Sequence, residues 1–287
     1  MTAVLKHELR LYFHSLTAYV FAAFLLAFAG IGAMLYNIQA AVSNFEYVLS
    51  FGAMVFVVIV PVLTMRVIAE ERKQKTDQLL YSLPITTTGV IVGKYLALLV
   101  VFLIPLLVIA VYPLVFAQYG DVYLLTSYGS ILAFFVLGAA LLALGVFISS
   151  LTDNQGFAAG IGIAVILFNY FSVQLSEQVS ATAFGSYVTL VVITALVGLL
   201  VWWLTKNDNV AVVVILAALA ALSVTYFFKA SAFEGLVPRI MAQLSLFDRF
   251  SAFVNGVFDM TAITYYLSVI AFFLFLSVQS LEKRRYN

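Results

Sequence analysis

The sequence predicts an all-α polytopic membrane protein, and three observations carry that prediction. Of its 287 residues, 64% are hydrophobic and only 9% charged, with a mean hydropathy of +1.12, so there is more apolar surface than a soluble core could hide. Apolar runs long enough to cross a bilayer recur along most of the chain. The longest polar passage is a single stretch, Glu70 to Thr86, with apolar segments close on both sides. The net charge of +1 leaves no field for nucleic acid. With 0 cysteines there is neither a disulfide frame nor thiol chemistry.

Met1 to Ser15 mixes Lys6, His7, Glu8, Arg10 and His14 with apolar residues. Leu5, Leu9, Tyr12 and Phe13 share a helical face, which predicts an amphipathic elbow over residues 1–15 lying on a membrane surface. The apolar run that follows has no Ala-x-Ala exit, which argues against a signal peptide. Spans are expected at Leu16–Tyr36, Tyr47–Val67 with Pro61 inside, and Val90–Phe116 broken by Pro105 and Pro113. Further spans are expected at Leu125–Ile148, Gly156–Leu175, Tyr187–Leu204, Val210–Phe228 and Thr261–Leu281. That makes about 8 transmembrane helices; 6 plus a re-entrant hairpin around Lys206 is the alternative. In the long loop at 229–258, apolar positions from Met241 to Phe258 recur at three and four, predicting an interfacial helix.

An even span count puts both termini on one side. Lys6, Arg10, Arg66, Arg72, Lys73, Lys75, Lys94, Lys206, Lys283, Arg284 and Arg285 fall on that side, against Lys229, Arg239 and Arg249 opposite. The excess of Lys and Arg makes that side, with the termini and the polar stretch, cytoplasmic.

Within the polar stretch, Thr76, Leu79, Leu80 and Leu83 fall at i, i+3, i+4 and i+7 on one helical face, and Gln74, Asp77, Gln78 and Tyr81 on another. Glu70, Glu71 and Asp77 load its early part with negative charge, and Pro84 ends it. The pattern predicts a short amphipathic helix over 70–86 between two spans.

Glu70-Glu71-Arg72-Lys73, then Thr76, then Leu79-Leu80 and Pro84-Ile85-Thr86 resemble the loop after the second span of ABC-2 type permeases. Two positions depart from that pattern: Lys75 stands where Gly is usual, and Gln78 where Glu is usual. The elbow, the closely spaced first five spans and the Ser150-Leu151-Thr152-Asp153-Asn154 turn are also similar to the family. Phe250, Gly256, Asp259, Tyr265, Tyr266, Leu267 and Ser268 resemble its gliding-motility branch, as does the additional pair of spans before them. The resemblance covers nearly the whole chain as a single domain, 1–287.

The resemblance implies the permease subunit of an ATP-driven exporter. In it, two ATPase copies, carrying ATP and Mg, dock on the loop of two identical or homologous permease subunits. Glu70, Glu71, Arg72, Lys73, Thr76, Asp77, Gln78, Leu79, Leu80, Leu83 and Pro84 would form the ATPase-coupling site, with Glu71 and Asp77 exposed to solvent or to the ATPase. The substrate would be hydrophobic or amphiphilic, and the 229–258 loop is a place for a periplasmic or accessory protein. A membrane scaffold that recruits partners through the same loop without transport is the alternative.

The chain shows no chemistry of its own. Gly89-Val-Ile-Val-Gly93-Lys94-Tyr95 has one residue too few for a phosphate loop, and Tyr95 stands where Ser or Thr must bind magnesium. His7 and His14 have no ligand spacing, so no metal and no bound cofactor are expected. Gly89/Gly93 and Gly156/Gly160 are small-residue pairs suited to helix packing, and Asn169 is expected to hydrogen-bond between helices.

Overall fold

The computed structural model describes residues 1–76, 86–205 and 208–285, the side chains of 196–214 and 285 excepted. These residues are helical almost throughout, with no strand among them. They form two compact units, Met1–Tyr170 with Leu246–Asn287, and Phe171–Ser245.

The first unit begins with the elbow, α1 (Thr2–His14), and continues as α2 (Leu16–Gly32), which runs into a π-helical segment, Ala33–Gln39. Then come α3 (Glu46–Thr64), a five-residue α4 (Ala69–Lys73), α5 (Thr87–Ile109) and the short α6 (Tyr112–Phe116). The long α7 (Leu124–Leu151) follows, then α8 (Gln155–Gln178), of which the part to Tyr170 belongs to this unit, and α12 (Leu246–Val254) and α13 (Met260–Arg285) close it. Among the described residues, six helices are long and apolar enough to cross a membrane. The span formed by α3 with α4 is 67% buried and α7 is 78% buried, against 22–39% for the other four, so these two are the centre of the unit.

What centres them is small residues and rings. Gly145 of α7 lies so close to α3 that an added Cβ would meet Thr64 Oγ1 at 2.3 Å. Further along, Phe56 packs on Phe134 at 4.6 Å and on Phe102 at 5.5 Å between ring centroids. Of the two prolines expected to break the third span, only Pro113 does so: α5 passes through Pro105 and ends at Ile109, and Pro113 opens α6, where its missing N–H costs no intrahelical bond. Of the glycine pairs, Gly93 packs against the elbow, while a Cβ at Gly160 would meet nothing within 4 Å.

The loop expected to lie on the membrane as one amphipathic helix is two helices, α11 (Leu236–Leu244) and α12, parted at Ser245. The apolar face of α12 is sunk into protein, not lipid. Leu246, Phe247, Phe250 and Phe253 are buried, with Phe250 on Phe134 and Phe247 edge-on to Tyr170. Backbone groups are matched too. Asn169 Oδ1 accepts the Leu246 N–H at 2.9 Å, Tyr266 Oη donates to Leu246 O, and Ser130 Oγ donates to Phe253 O. Asn169 thus makes the hydrogen bond between helices that its setting demanded.

The second unit contains α9 (Ala183–Thr205), α10 (Asp208–Phe228), a 3₁₀ turn at Ala230–Phe233, and α11. The start of α9 meets the end of α10 through stacked Tyr187 and Tyr226, 4.6 Å apart, with Phe233 edge-on to both. The chain then turns by 116° between Ile215–Phe228 and Ala230–Leu244. The pair around Lys206 is therefore a helical hairpin followed by a sharp bend.

A candidate coupling site at the terminus-bearing end

One end of the first unit gathers the elbow, the exit of α3, the entry of α5, the α7–α8 turn and the end of α13. Ion pairs of Arg66, Arg72, Lys94 and Arg284 and many side-chain hydrogen bonds lie there. The Glu70-Glu71-Arg72 run is at its centre, and each of the three side chains goes to a different place.

The run is helical because tertiary contacts make it so. Five residues cannot nucleate a helix alone. Ser149 of α7 supplies the start: its Oγ accepts the N–H groups of Ile68 at 3.1 Å and Ala69 at 3.2 Å, and donates to Met65 O. The end is a paired carbonyl closure. Lys75 N–H donates to Arg72 O and Thr76 N–H to Glu71 O, with Lys75 in the left-handed region at φ 57°. The helix expected to run on from Glu70 is thus closed at Lys75. This is the position at which the resemblance expects Gly, and the backbone explains why: a left-handed residue there strains anything with a Cβ.

Glu70 turns back to its own span. Arg66 donates to both of its carboxylate oxygens, at 2.8 and 3.0 Å, and to Thr17 Oγ1 of α2 at 3.3 Å. Glu71 turns inward: Lys94 Nζ donates to Glu71 Oε1 at 2.7 Å and to Glu8 Oε1 of the elbow at 2.6 Å. The Lys94 side chain is 2% exposed, Glu8 7% and Glu71 24%. Arg72 is buried, donates to Ser150 O and lies 3.9 Å from Asp153. Asp153 also takes Arg284 of α13 at 2.7 Å, Ser280 Oγ donates to Ser150 O, and Thr87 Oγ1 donates to Glu282.

The expectation that Glu71 is an open docking residue is therefore corrected, because Lys94 claims it. Lys73 is exposed, and Thr76 is half-buried with its Oγ1 on Glu71 O. Asp77, Gln78, Leu79, Leu80, Leu83 and Pro84 lie outside the described residues. The phosphate-loop look-alike is settled by its helix: Gly89 to Tyr95 sit inside α5, Lys94 serves the two glutamates, and Tyr95 Oη donates to Ala139 O.

The sequence reading missed Glu8, Lys94, Ser149 and Ser150. Lys94 carried a usable signal, since a cation inside an apolar span needs an ionic partner. The elbow's buried face follows from it. The stripe is Val4, Glu8 and Tyr12; of the expected Leu5, Leu9, Tyr12 and Phe13 only Tyr12 is on it, and the face lies one step round so that Glu8 reaches Lys94. Burial, then the charge of Glu8, pushes the Tyr12 phenol upward. A cavity of about 680 Å³ lies between the elbow and the loop, lined among others by Val4, His7, Tyr12, Arg66 and Gln74. Among the described residues no group of three His, Asp or Glu could hold a metal ion.

A family described as ABC-2 family transporter protein matches residues 3–188. No curated protein matches the chain, and no solved structure does.

Proposed function

The chain belongs to the ABC-2 transporter family, and on that premise we propose that it is the permease subunit of an ATP-driven exporter whose lever is the 70–86 loop. Members of this family work with a separate ABC ATPase, and the chain is a multi-pass membrane protein. Two permease subunits and two ATPases make the working unit, with ATP and Mg on the ATPase. The termini and the loop face the cytoplasm, as the Lys and Arg asymmetry requires. Phe250 to Ser268 carry the assignment to the gliding-motility branch. The substrate is hydrophobic or amphiphilic, in keeping with the apolar character of the spans.

The observation that supports this reading most directly is the anchoring of the loop. Glu70, Glu71 and Arg72 connect it to its own span, to the elbow and α5, and to the α7–α8 turn. A loop that only set topology would need none of these joints. A lever needs all of them, because a push from the ATPase must reach several spans at once.

The test is co-expression with an ABC ATPase encoded beside the permease, followed by ATPase and transport assays in liposomes. Leu79→Ala with Leu80→Ala should leave the ATPase bound and lower transport more than binding, since burying each Leu is worth roughly 1.5–3 kcal/mol at such a joint. Normal transport by that variant would overturn the lever.

A further inference from the structure

We propose that Lys94 locks the elbow helix to the loop, so that the elbow moves with the lever and is not a passive membrane anchor. The inference rests on the lever reading above and names the residue that extends it to the elbow. Three elements distant in sequence meet at this one nitrogen. It contacts Glu8 of α1 at 2.6 Å and Glu71 of α4 at 2.7 Å, and its own helix is α5. The backbone at the same level allows no slack. A Cβ at Gly93 would meet Val4 Cβ at 3.1 Å and Met1 O at 3.2 Å, so the elbow rests directly on α5.

The electrostatics make the joint all-or-none. Lys94 is almost wholly shielded from water, so a carboxylate that leaves is not replaced by solvent. Glu8 is nearly as buried and, among the described residues, its only salt bridge is to Lys94. If the loop moved while the elbow stayed, Lys94 would have to abandon either the buried Glu8 or the part-exposed Glu71. Moving all three together keeps both pairs. A pull on Glu71 is therefore passed through Lys94 to Glu8.

The chain has 0 cysteines, so paired spin labels can be placed without background. Lys6 and Gln74 are both exposed, one on the elbow and one just past α4. Lys6→Cys/Gln74→Cys permease, labelled in nanodiscs with its co-purified ATPase, should give one narrow distance, unchanged by ATP with vanadate. Adding Lys94→Met should lose that single peak and make the distance nucleotide-dependent. Adding Glu8→Gln should broaden it while Lys94 keeps Glu71, and this variant decides the matter if Lys94→Met does not fold. Lys94→Arg, which keeps the charge, should restore a single peak. A narrow distance that survives the loss of Lys94 or Glu8, or a nucleotide-driven shift in the unmodified joint, overturns the lock. If no ATPase co-purifies, the lever reading fails, and the nucleotide-free distances still decide whether Lys94 holds elbow and loop together.

Discussion

The two ends of the first unit are held by different physics. At the terminus-bearing end, Arg66, Lys94, Arg72 and Arg284 join loop, elbow and spans through carboxylates and carbonyls. At the opposite end, α12 is fixed mainly by rings and by side-chain hydrogen bonds to carbonyls, and Arg249 lies 4.0 Å over the Tyr265 ring. Phe253 meets Phe258 edge-on at 5.6 Å, Phe45 meets Tyr112 at 6.2 Å, and Ser130 and Tyr266 donate to carbonyls. An ionic joint depends on matched partners and fails when one is lost. Ring packing is made of many small contacts and yields gradually. The terminus-bearing end is thus built from joints that hold or let go, as the proposed lever would need, and the opposite end from packing that absorbs small changes.

The sharpest way to break that comparison is Lys94→Met. It removes the cation that Glu8 and Glu71 share, at a site where Glu8 is 7% and Glu71 24% exposed. Removing one partner from a buried ionic group typically costs about 3–5 kcal/mol. The apparent thermal midpoint in detergent should fall accordingly. Lys94→Met with Glu8→Gln should recover part of the loss, because one of the stranded charges is gone. If the double variant is as unstable as Lys94→Met, the effect is lost packing of the lysine stem and not charge. The same logic applies to Glu71: Glu71→Lys sets a second cation against Lys94 and should destabilise the fold, not only the docking.

A smaller effect is expected at the opposite end from Phe250→Leu. This keeps an apolar side chain but removes a ring packed on Phe134, 6.0 Å away. The loss of carbon and of the ring pair together should cost about 1–2 kcal/mol. Partner ATPase binding should not change. A drop as large as that of Lys94→Met would erase the distinction between the ends.

Spans, elbow and polar loop were legible in the sequence because hydropathy and helical period are local properties. Pro105 misled because a proline's effect depends on neighbouring helices that no local window contains. The α12 face misled for a related reason. Leu246, Phe247, Phe250 and Phe253 have the spacing of an interfacial helix, and spacing does not say whether lipid or protein covers them. At the candidate site, the sequence singled out Glu70, Glu71 and Arg72 but not the directions of their side chains. Those depend on Lys94, 23 residues beyond Glu71, and on Glu8, 86 residues before Lys94. Charge alone gave a docking patch; Lys94 turns Glu71 inward, Ser150 takes Arg72, and Arg66 draws Glu70 back to its own span.

The smallest effect expected is also the most local. Lys75 holds φ 57° to let Thr76 N–H reach Glu71 O and Lys75 N–H reach Arg72 O. A residue with a Cβ in that region carries strain of roughly 1–2 kcal/mol. Glycine removes the strain and returns part of the gain by making the unfolded chain freer, a cost of roughly 0.5–1 kcal/mol. Lys75→Gly should therefore stabilise the permease by about 0.5–1 kcal/mol, a net of these opposed terms. Lys75→Ala separates strain from charge, since it removes the cation and keeps the Cβ. If the gain comes from the backbone, the glycine variant should melt higher and the alanine variant should not. If both gain equally, the lysine's charge is what costs stability, and the closure after α4 is not strained. The result bears on the lever as well. A relaxed turn at residue 75 holds Glu71 toward Lys94 at least as well as a strained one, so Lys75→Gly should leave the elbow–loop distance narrow while raising the midpoint.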